Sequence, residues 1–253
     1  MKLNVQILGN GKPLIIMHGL FGTLENWGGQ IKALAEHFTV YAVDMRNHGR
    51  SPHNDTISYP EMAEDIIQLM DDHCLSSTSI IGHSMGGKAA MQLALNNPQR
   101  IDKLIIVDIA PVQYPHHHQD VLRGLNAVDL GTLKSRNDAD QQLSLFIPEM
   151  AVRQFLLKNL YRDEQKAFAW RMNLPVLEAC YDNISAAPEG PAYQAPVLFI
   201  KGENSDYLTA DYRKPLLKLF PQADYRMIQD AGHWPHAEKA AIFTKMVLKY
   251  LQK

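Results

Sequence analysis

The sequence predicts an α/β domain: a mostly parallel, twisted sheet flanked by helices, with a helical lid inserted into it. Three observations predict this. Short runs rich in Ile, Val and Leu recur without polar alternation, as strands buried on both faces require. Helical patterns separate the runs, so that strands and helices alternate. The stretch 112–190 breaks this rhythm with several helical patterns and no convincing central strand.

Taken in order, LNVQIL (3–8) and LIIMH (14–18) flank Asn10-Gly11 and predict a β-hairpin. Further strands are expected at TVYAVD (39–44), TSIIG (78–82), LIIVD (104–108), VLFIKG (197–202) and YRMI (225–228). Ser58 and Glu61 form a capping-box pattern ahead of Met62, Ile66, Leu69 and Met70, which share one face of a helix. Gly86-Gly87-Lys88-Ala89-Ala90-Met91 opens a second helix, whose small residues permit close approach to the sheet. Residues 238–251 form a third, with Ile242, Met246 and Tyr250 on one side. Between the core strands LIIVD and VLFIKG lies 112–190, with patterns such as QFLLKNLY (154–161) and too many Leu, Phe and Tyr for a disordered linker. The expected organisation is a core of residues 1–111 and 191–253 with a helical cap or lid at 112–190.

At 253 residues the chain is near the upper size of a single domain, and its 46% hydrophobic content can supply a sizeable core. A net charge of −2 without a run of Lys or Arg argues against a nucleic-acid partner. Two cysteines, Cys74 and Cys180, make neither a metal-binding spacing nor a disulfide framework, which suits a reducing compartment. Met1-Lys2-Leu3-Asn4 leads directly into a strand pattern, and no long apolar stretch suggests a signal peptide or membrane span. A cytoplasmic monomer or small oligomer is expected.

Two catalytic motifs overlap at SIIGHSMGGKAA (79–90). Gly82-His83-Ser84-Met85-Gly86 fits G-x-S-x-G, the strand-to-helix elbow that presents a serine nucleophile. Gly82 through Lys88 also fits the G-x-x-x-x-G-K part of a phosphate-cradling loop, with LIIVD as a strand-ending Mg²⁺ aspartate. That loop's metal-binding hydroxyl is replaced by Ala89. A serine needs a base, and the base an orienting acid, in the order Ser, Asp/Glu, His. Gly232-His233-Trp234 follows the last strand and supplies the base. For the oxyanion, the Met85 N–H follows the nucleophile, and His18-Gly19-Leu20-Phe21-Gly22 lies after an early strand with Leu20 N–H as the second donor.

HGLFG (18–22), DMRNHGRS (44–51), GHSMGG (82–87), VDIAP (107–111) and AGHWPHAEK (231–239) together resemble the α/β-hydrolase superfamily, most closely small bacterial carboxylesterases of the YbfF type. The matches span nearly the whole chain in order, with the lid region least diagnostic. The resemblance implies an α/β-hydrolase fold and a serine hydrolase of the carboxylesterase or thioesterase kind, acting on small or acyl-chain esters through an acyl-enzyme, with no metal or organic cofactor. Two acids compete. Asp206 lies on the loop where most relatives carry the acid, although Ser205 holds their usual spacing from Gly202. Asp108 ends the strand before the lid, a position used by dehalogenase-like branches. Asp108 is favoured, with Asp206 as the alternative.

Related folds also cleave carbon–carbon bonds or eliminate small acids with similar residues, and such a scaffold can serve as a non-catalytic binder; both stand as alternatives. His116-His117-His118 is not a metal pattern, because consecutive side chains diverge; an exposed start to the lid is expected. Asp44 and His48 read as loop supports, His18 as packing behind the oxyanion loop and His236 as the start of the last helix. The elbow is expected to turn the His83 side chain away from Ser84, and Phe155, Tyr161 and Trp170 read as lid core or acyl-pocket residues.

Overall fold

A computed structural model describes residues 1–252. The chain opens with β1 (Val5–Leu8), β2 (Lys12–Met17), α1 (Gly28–Leu34) and β3 (Phe38–Val43). Next come α2 (Tyr59–Asp72), β4 (Thr78–His83), α3 (Met85–Asn96) and β5 (Ile101–Val107). The stretch after β5 holds α4 (Gln119–Ala127), α5 (Arg136–Ser144), α6 (Met150–Leu157), a hairpin of β6 (Leu160–Arg162) and β7 (Phe168–Trp170), then α7 (Leu174–Ala179) and α8 (Tyr181–Ser185). The alternation resumes with β8 (Val197–Gly202), α9 (Arg213–Leu219) and β9 (Ala223–Ile228), and ends with α10 (Pro235–Glu238) and α11 (Ala240–Leu251).

Seven strands form one sheet in the order β1-β3-β2-β4-β5-β8-β9. All neighbours are parallel except β1, which runs antiparallel to β3. Continuous apolar runs are explained by burial on both faces. Ile15, Met17, Ile80, Leu104 and Ile106 pack with α2 and α3 on one side. Their alternating neighbours Leu14, Ile16, Ile81, Ile105 and Val107 pack with Ile31 of α1 and Phe243 of α11 on the other.

The hairpin expected around Asn10-Gly11 does not form, because β3 lies between β1 and β2. The turn is instead wedged against the start of β3: Gly11 N–H donates to Thr39 Oγ1 at 2.9 Å. A Cβ on Gly9, which has φ +90°, would lie 2.3 Å from the Phe38 carbonyl oxygen. The α2 face is as expected, with Met62, Ile66, Leu69 and Met70 all buried. Ser58 caps it as expected, its Oγ accepting from Glu61 N–H at 3.4 Å, while the Glu61 carboxylate takes the Ser58 hydroxyl at 2.7 Å and pairs with buried Arg46. On α11 the stripe is offset by one residue. Phe243 and Val247 face the core, whereas Ile242 is exposed. The pattern at 154–161 also divides. The chain leaves the helix after Leu157, and Asn159 Nδ2 donates to the Phe21 carbonyl at 2.7 Å. No described helix is long and apolar enough to cross a membrane.

Candidate active site

Ser84 stands between β4 and α3 with φ 51° and ψ −118°, a conformation that L-residues rarely occupy. Small residues make that elbow possible. A Cβ on Gly82 would meet the Gly86 carbonyl oxygen at 2.4 Å, and one on Gly86 the His18 carbonyl oxygen at 2.5 Å. The helix start therefore sits directly against the end of β2 and aims its unpaired N–H groups back toward the serine.

His233 Nε2 lies 3.1 Å from Ser84 Oγ, and its Nδ1 is 2.7 Å from Asp108 Oδ2. Asp108 is fully buried and continues the β5–β8 ladder, its N–H donating to the Ile200 carbonyl at 2.8 Å. Its Oδ1 accepts from Gly202 N–H at 3.1 Å, and its Oδ2 also accepts from Ser205 Oγ. Asp206 is exposed and stands apart from this cluster. Of the two candidate acids, the fold brings Asp108 alone to the histidine.

The backbone around His233 is clamped from three directions. Glu238 accepts from Gly232 N–H at 2.7 Å and from Trp234 N–H at 3.1 Å, and His83 Nε2–H donates to the His233 carbonyl at 2.8 Å. Burial holds the His83 pKa well below its ordinary value, with His233 and His236 nearby adding to the effect. It is therefore a neutral donor held to the loop that carries His233, and it borders the cavity.

The loop after β2 approaches Ser84 closely enough that a Cβ on Gly19 would sit 3.1 Å from Ser84 Cβ. Among the described residues, Leu20 N–H and Met85 N–H donate to no protein acceptor. His18 and His48 hold this loop from behind. Met45 N–H donates to His18 Nε2 at 3.0 Å, and Phe21 N–H to His48 Nε2 at 3.2 Å. Burial lowers the pKa of both, that of His48 to about 3, which keeps the rings neutral and able to accept. Asp44 completes the support, accepting from Leu24 N–H and Arg50 N–H at 2.8 Å each.

A cavity of about 410 Å³ opens over Ser84 and His233, walled by Phe146, Ile147, Val152, Phe155 and Trp234. Phe155 and Trp234 touch across it, their ring centroids 5.3 Å apart. Tyr161 and Trp170 lie away from it in the β6–β7 hairpin, where Tyr161 meets the Arg171 guanidinium. Of the three consecutive histidines, His116 and His117 are exposed, as expected. His117 and His118 border the cavity, and His118 is half-buried between Tyr181 and Tyr207. No cluster of metal-ligand residues occurs among the described residues.

Lys88 answers the phosphate-loop reading. Its ammonium is buried and donates to the carbonyls of Ser185 at 2.9 Å and Ala186 at 2.6 Å, with the Tyr114 ring 4.7 Å away. Burial pushes its pKa down to about 7. A lysine committed to two carbonyls behind the elbow cannot cradle a phosphate in front of it.

The alpha/beta hydrolase fold family model matches residues 12–240. The chain belongs to this family. The hydrolase is 40% identical to Esterase YbfF of Escherichia coli, with 99% of each chain covered. It is 36% identical to the sn-1-specific diacylglycerol lipase ABHD11 of Xenopus laevis, over 96% of this chain and 80% of the relative. Among solved structures, a marine microorganism esterase superposes with a TM-score of 0.96 at 39% identity, covering 99% of both chains.

Ser205, Tyr207, Glu238 and His83 are the site residues that sequence reasoning passed over or assigned elsewhere. His83 and Glu238 lie inside motif blocks and Ser205 at the usual acid spacing from Gly202, but position in the chain does not say what a side chain touches.

Proposed function

We propose that this hydrolase cleaves carboxylic esters through a Ser84-His233-Asp108 triad and an acyl-enzyme. One observation carries the proposal: the hydrogen-bonded series Ser84 Oγ, His233 Nε2, His233 Nδ1 and Asp108 Oδ2, at 3.1 and 2.7 Å, lies beside two unpaired backbone N–H groups and opens onto an apolar cavity. Relatives named as esterases and a diacylglycerol lipase favour ester cleavage over carbon–carbon hydrolysis or small-acid elimination.

In the reaction, His233 Nε2 takes the Ser84 proton as Oγ attacks the ester carbonyl. Negative charge moves to the carbonyl oxygen, where the Leu20 and Met85 N–H groups stabilise it. Collapse expels the alcohol, which receives the proton from His233 and leaves Ser84 acylated. Water then loses a proton to His233 and attacks the acyl carbonyl. Collapse returns that proton to Ser84 Oγ and releases the carboxylic acid. Throughout, Asp108 fixes the imidazole tautomer and stabilises the transient imidazolium. Residues 112–190 act as a lid, contributing the Phe146–Phe155 side of the cavity that receives the apolar portion of the substrate. Acyl-thioesters fit the same chemistry.

A hydrolysis screen across ester and thioester chain lengths, with Ser84→Ala as control, tests the reading. Ser84→Ala is expected to abolish both turnover and labelling by a serine-directed phosphonate; labelling that persists in the variant refutes the nucleophile.

A further inference from the structure

The His233 ring needs more support than its two hydrogen bonds supply. Imidazole χ2 is a soft torsion. A ring held at Nδ1 by Asp108 can still pivot about that contact and carry Nε2 off the line to Ser84. One face of the ring is covered by Tyr207, whose centroid lies 3.9 Å away with the planes 22° apart. Tyr207 is itself fixed to the acid. Its N–H donates to Ser205 Oγ at 3.3 Å, and Ser205 Oγ donates to Asp108. The Tyr207 carbonyl accepts from the Tyr114 hydroxyl, which in turn accepts from Ala110 N–H at 2.9 Å.

The Tyr207 hydroxyl joins a chain of hydrogen bonds whose direction can be worked out. A carbonyl oxygen only accepts, so His117 Nδ1–H donates to the Pro115 carbonyl at 2.7 Å. His117 Nε2 then carries the lone pair and accepts from the Tyr207 hydroxyl at 2.6 Å. Tyr207 Oη in turn accepts from His118 Nε2–H at 3.2 Å. His118 Nδ1 is left to accept from the Tyr181 hydroxyl at 2.5 Å. Each proton and lone pair in the series has a place. His117, His118 and Tyr181 all belong to the stretch 112–190, and Tyr207 lies outside it.

We propose that Tyr207 is a positioning residue for His233, and that the chain Tyr181–His118–Tyr207–His117 transmits the placement of residues 112–190 to that imidazole. This rests on the esterase reading of His233. When the stretch is seated, the hydroxyl chain fixes the Tyr207 ring plane, and the ring plane holds His233 facing Ser84. When the stretch lifts, Tyr207 is freed to tilt and the base loses its alignment.

The test compares the full-length wild type with Tyr207→Leu, Tyr207→Phe, His118→Leu and the double variant Tyr207→Phe/His118→Leu. Thermal melts confirm folding, and Tyr207→Met replaces Tyr207→Leu if the latter does not fold. The readouts are kcat and KM on a chromogenic ester, together with the downfield NMR resonance of the His233 Nδ1 proton, assigned by its loss in Asp108→Asn. Removing the stacked face is expected to lower kcat by roughly 30- to 100-fold, the scale of an ångström-level misplacement. KM stays within about threefold, because Tyr207 borders the cavity at its His233 end while the apolar wall of Phe146, Ile147, Val152, Phe155 and Trp234 is unchanged, and the downfield resonance broadens away. Tyr207→Phe keeps the stack and loses only a few-fold in kcat. His118→Leu does the same, and the double variant falls no further than the worse single, as groups acting through one another require. A kcat unchanged in Tyr207→Leu, an unaltered resonance, or multiplying effects in the double variant overturns the proposal. Should Ser84→Ala retain turnover, the esterase reading falls, and the resonance alone decides whether Tyr207 positions the ring.

Discussion

Replacing Asp108 by Asn tests the acid with almost no change in shape, and the surroundings determine which way the new amide turns. Gly202 N–H points at Oδ1 from 3.1 Å and requires an acceptor there. The amide oxygen must therefore take the Oδ1 site, which leaves the NH₂ group facing His233 Nδ1 at the 2.7 Å contact. Two donors cannot share that contact. The imidazole shifts its proton to Nε2 so that Nδ1 can accept, and Nε2–H then faces Ser84 Oγ. A nitrogen that already carries a proton cannot act as the base. Loss of the carboxylate also removes the stabilisation of the imidazolium. The expected fall in kcat is about 10⁴-fold, or about 5.5 kcal/mol in the barrier. Asp206→Asn changes an exposed residue outside the cluster and is expected to leave kcat within about twofold. Steady-state kinetics on one ester, with melting temperatures for each variant, make the comparison. The tautomer argument is refuted if Asp108→Asn retains a tenth of wild-type kcat, or if Asp206→Asn loses as much activity.

Two further outcomes follow from the packing around the site. Burial pushes His48, His118 and His236 down to about 3. Below the ordinary histidine value of about 6.5, the unfolded chain takes up protons that these rings refuse, so stability falls as pH drops from about 6.5 toward 3. At about pH 5 the loss is roughly 2 kcal/mol for each ring, and the three together approach the whole stability of a typical domain. A melting temperature that stays level between about pH 7.5 and 5 contradicts this. Gly86→Ala drives a Cβ to within 2.5 Å of the His18 carbonyl and 2.7 Å of the Met17 carbonyl, both rigid backbone. A cost of about 3 kcal/mol and a melting temperature lower by roughly 6–12 °C are expected, together with reduced kcat as Met85 N–H moves away from Leu20; an unchanged melting curve counts against the close-packed elbow.

Much of the sheet was legible because its signal is local. Runs such as LIIV (104–107) and VLFI (197–200) are apolar at every position, and a strand buried on both faces needs nothing else. The elbow was legible for a similar reason, since the glycines flanking Ser84 answer steric demands within a few residues. Pairing partners were not legible. Asn10-Gly11 resembles a hairpin turn, yet β3, encoded more than twenty residues later, takes the place beside β1. On α11 a one-residue offset decided whether Ile242 or Phe243 met the core, because helical spacing alone does not tell where the sheet lies.

The sequence by itself determined the class of fold and the chemical types available to the site: an apolar alternating scaffold, a serine between small residues, a histidine after the last strand and two eligible carboxylates. Those properties reside in single residues and short spacings. Only the tertiary structure shows which carboxylate lies against His233, because Gly202 N–H at the end of β8 and Ser205 Oγ just beyond it converge on Asp108 from some ninety residues downstream. It also decided that Lys88 serves two carbonyls and that Tyr207 lies flat against His233. A hydrogen bond or a stacked ring depends on distance and direction in space, and chain order does not encode either until the strands have found their neighbours.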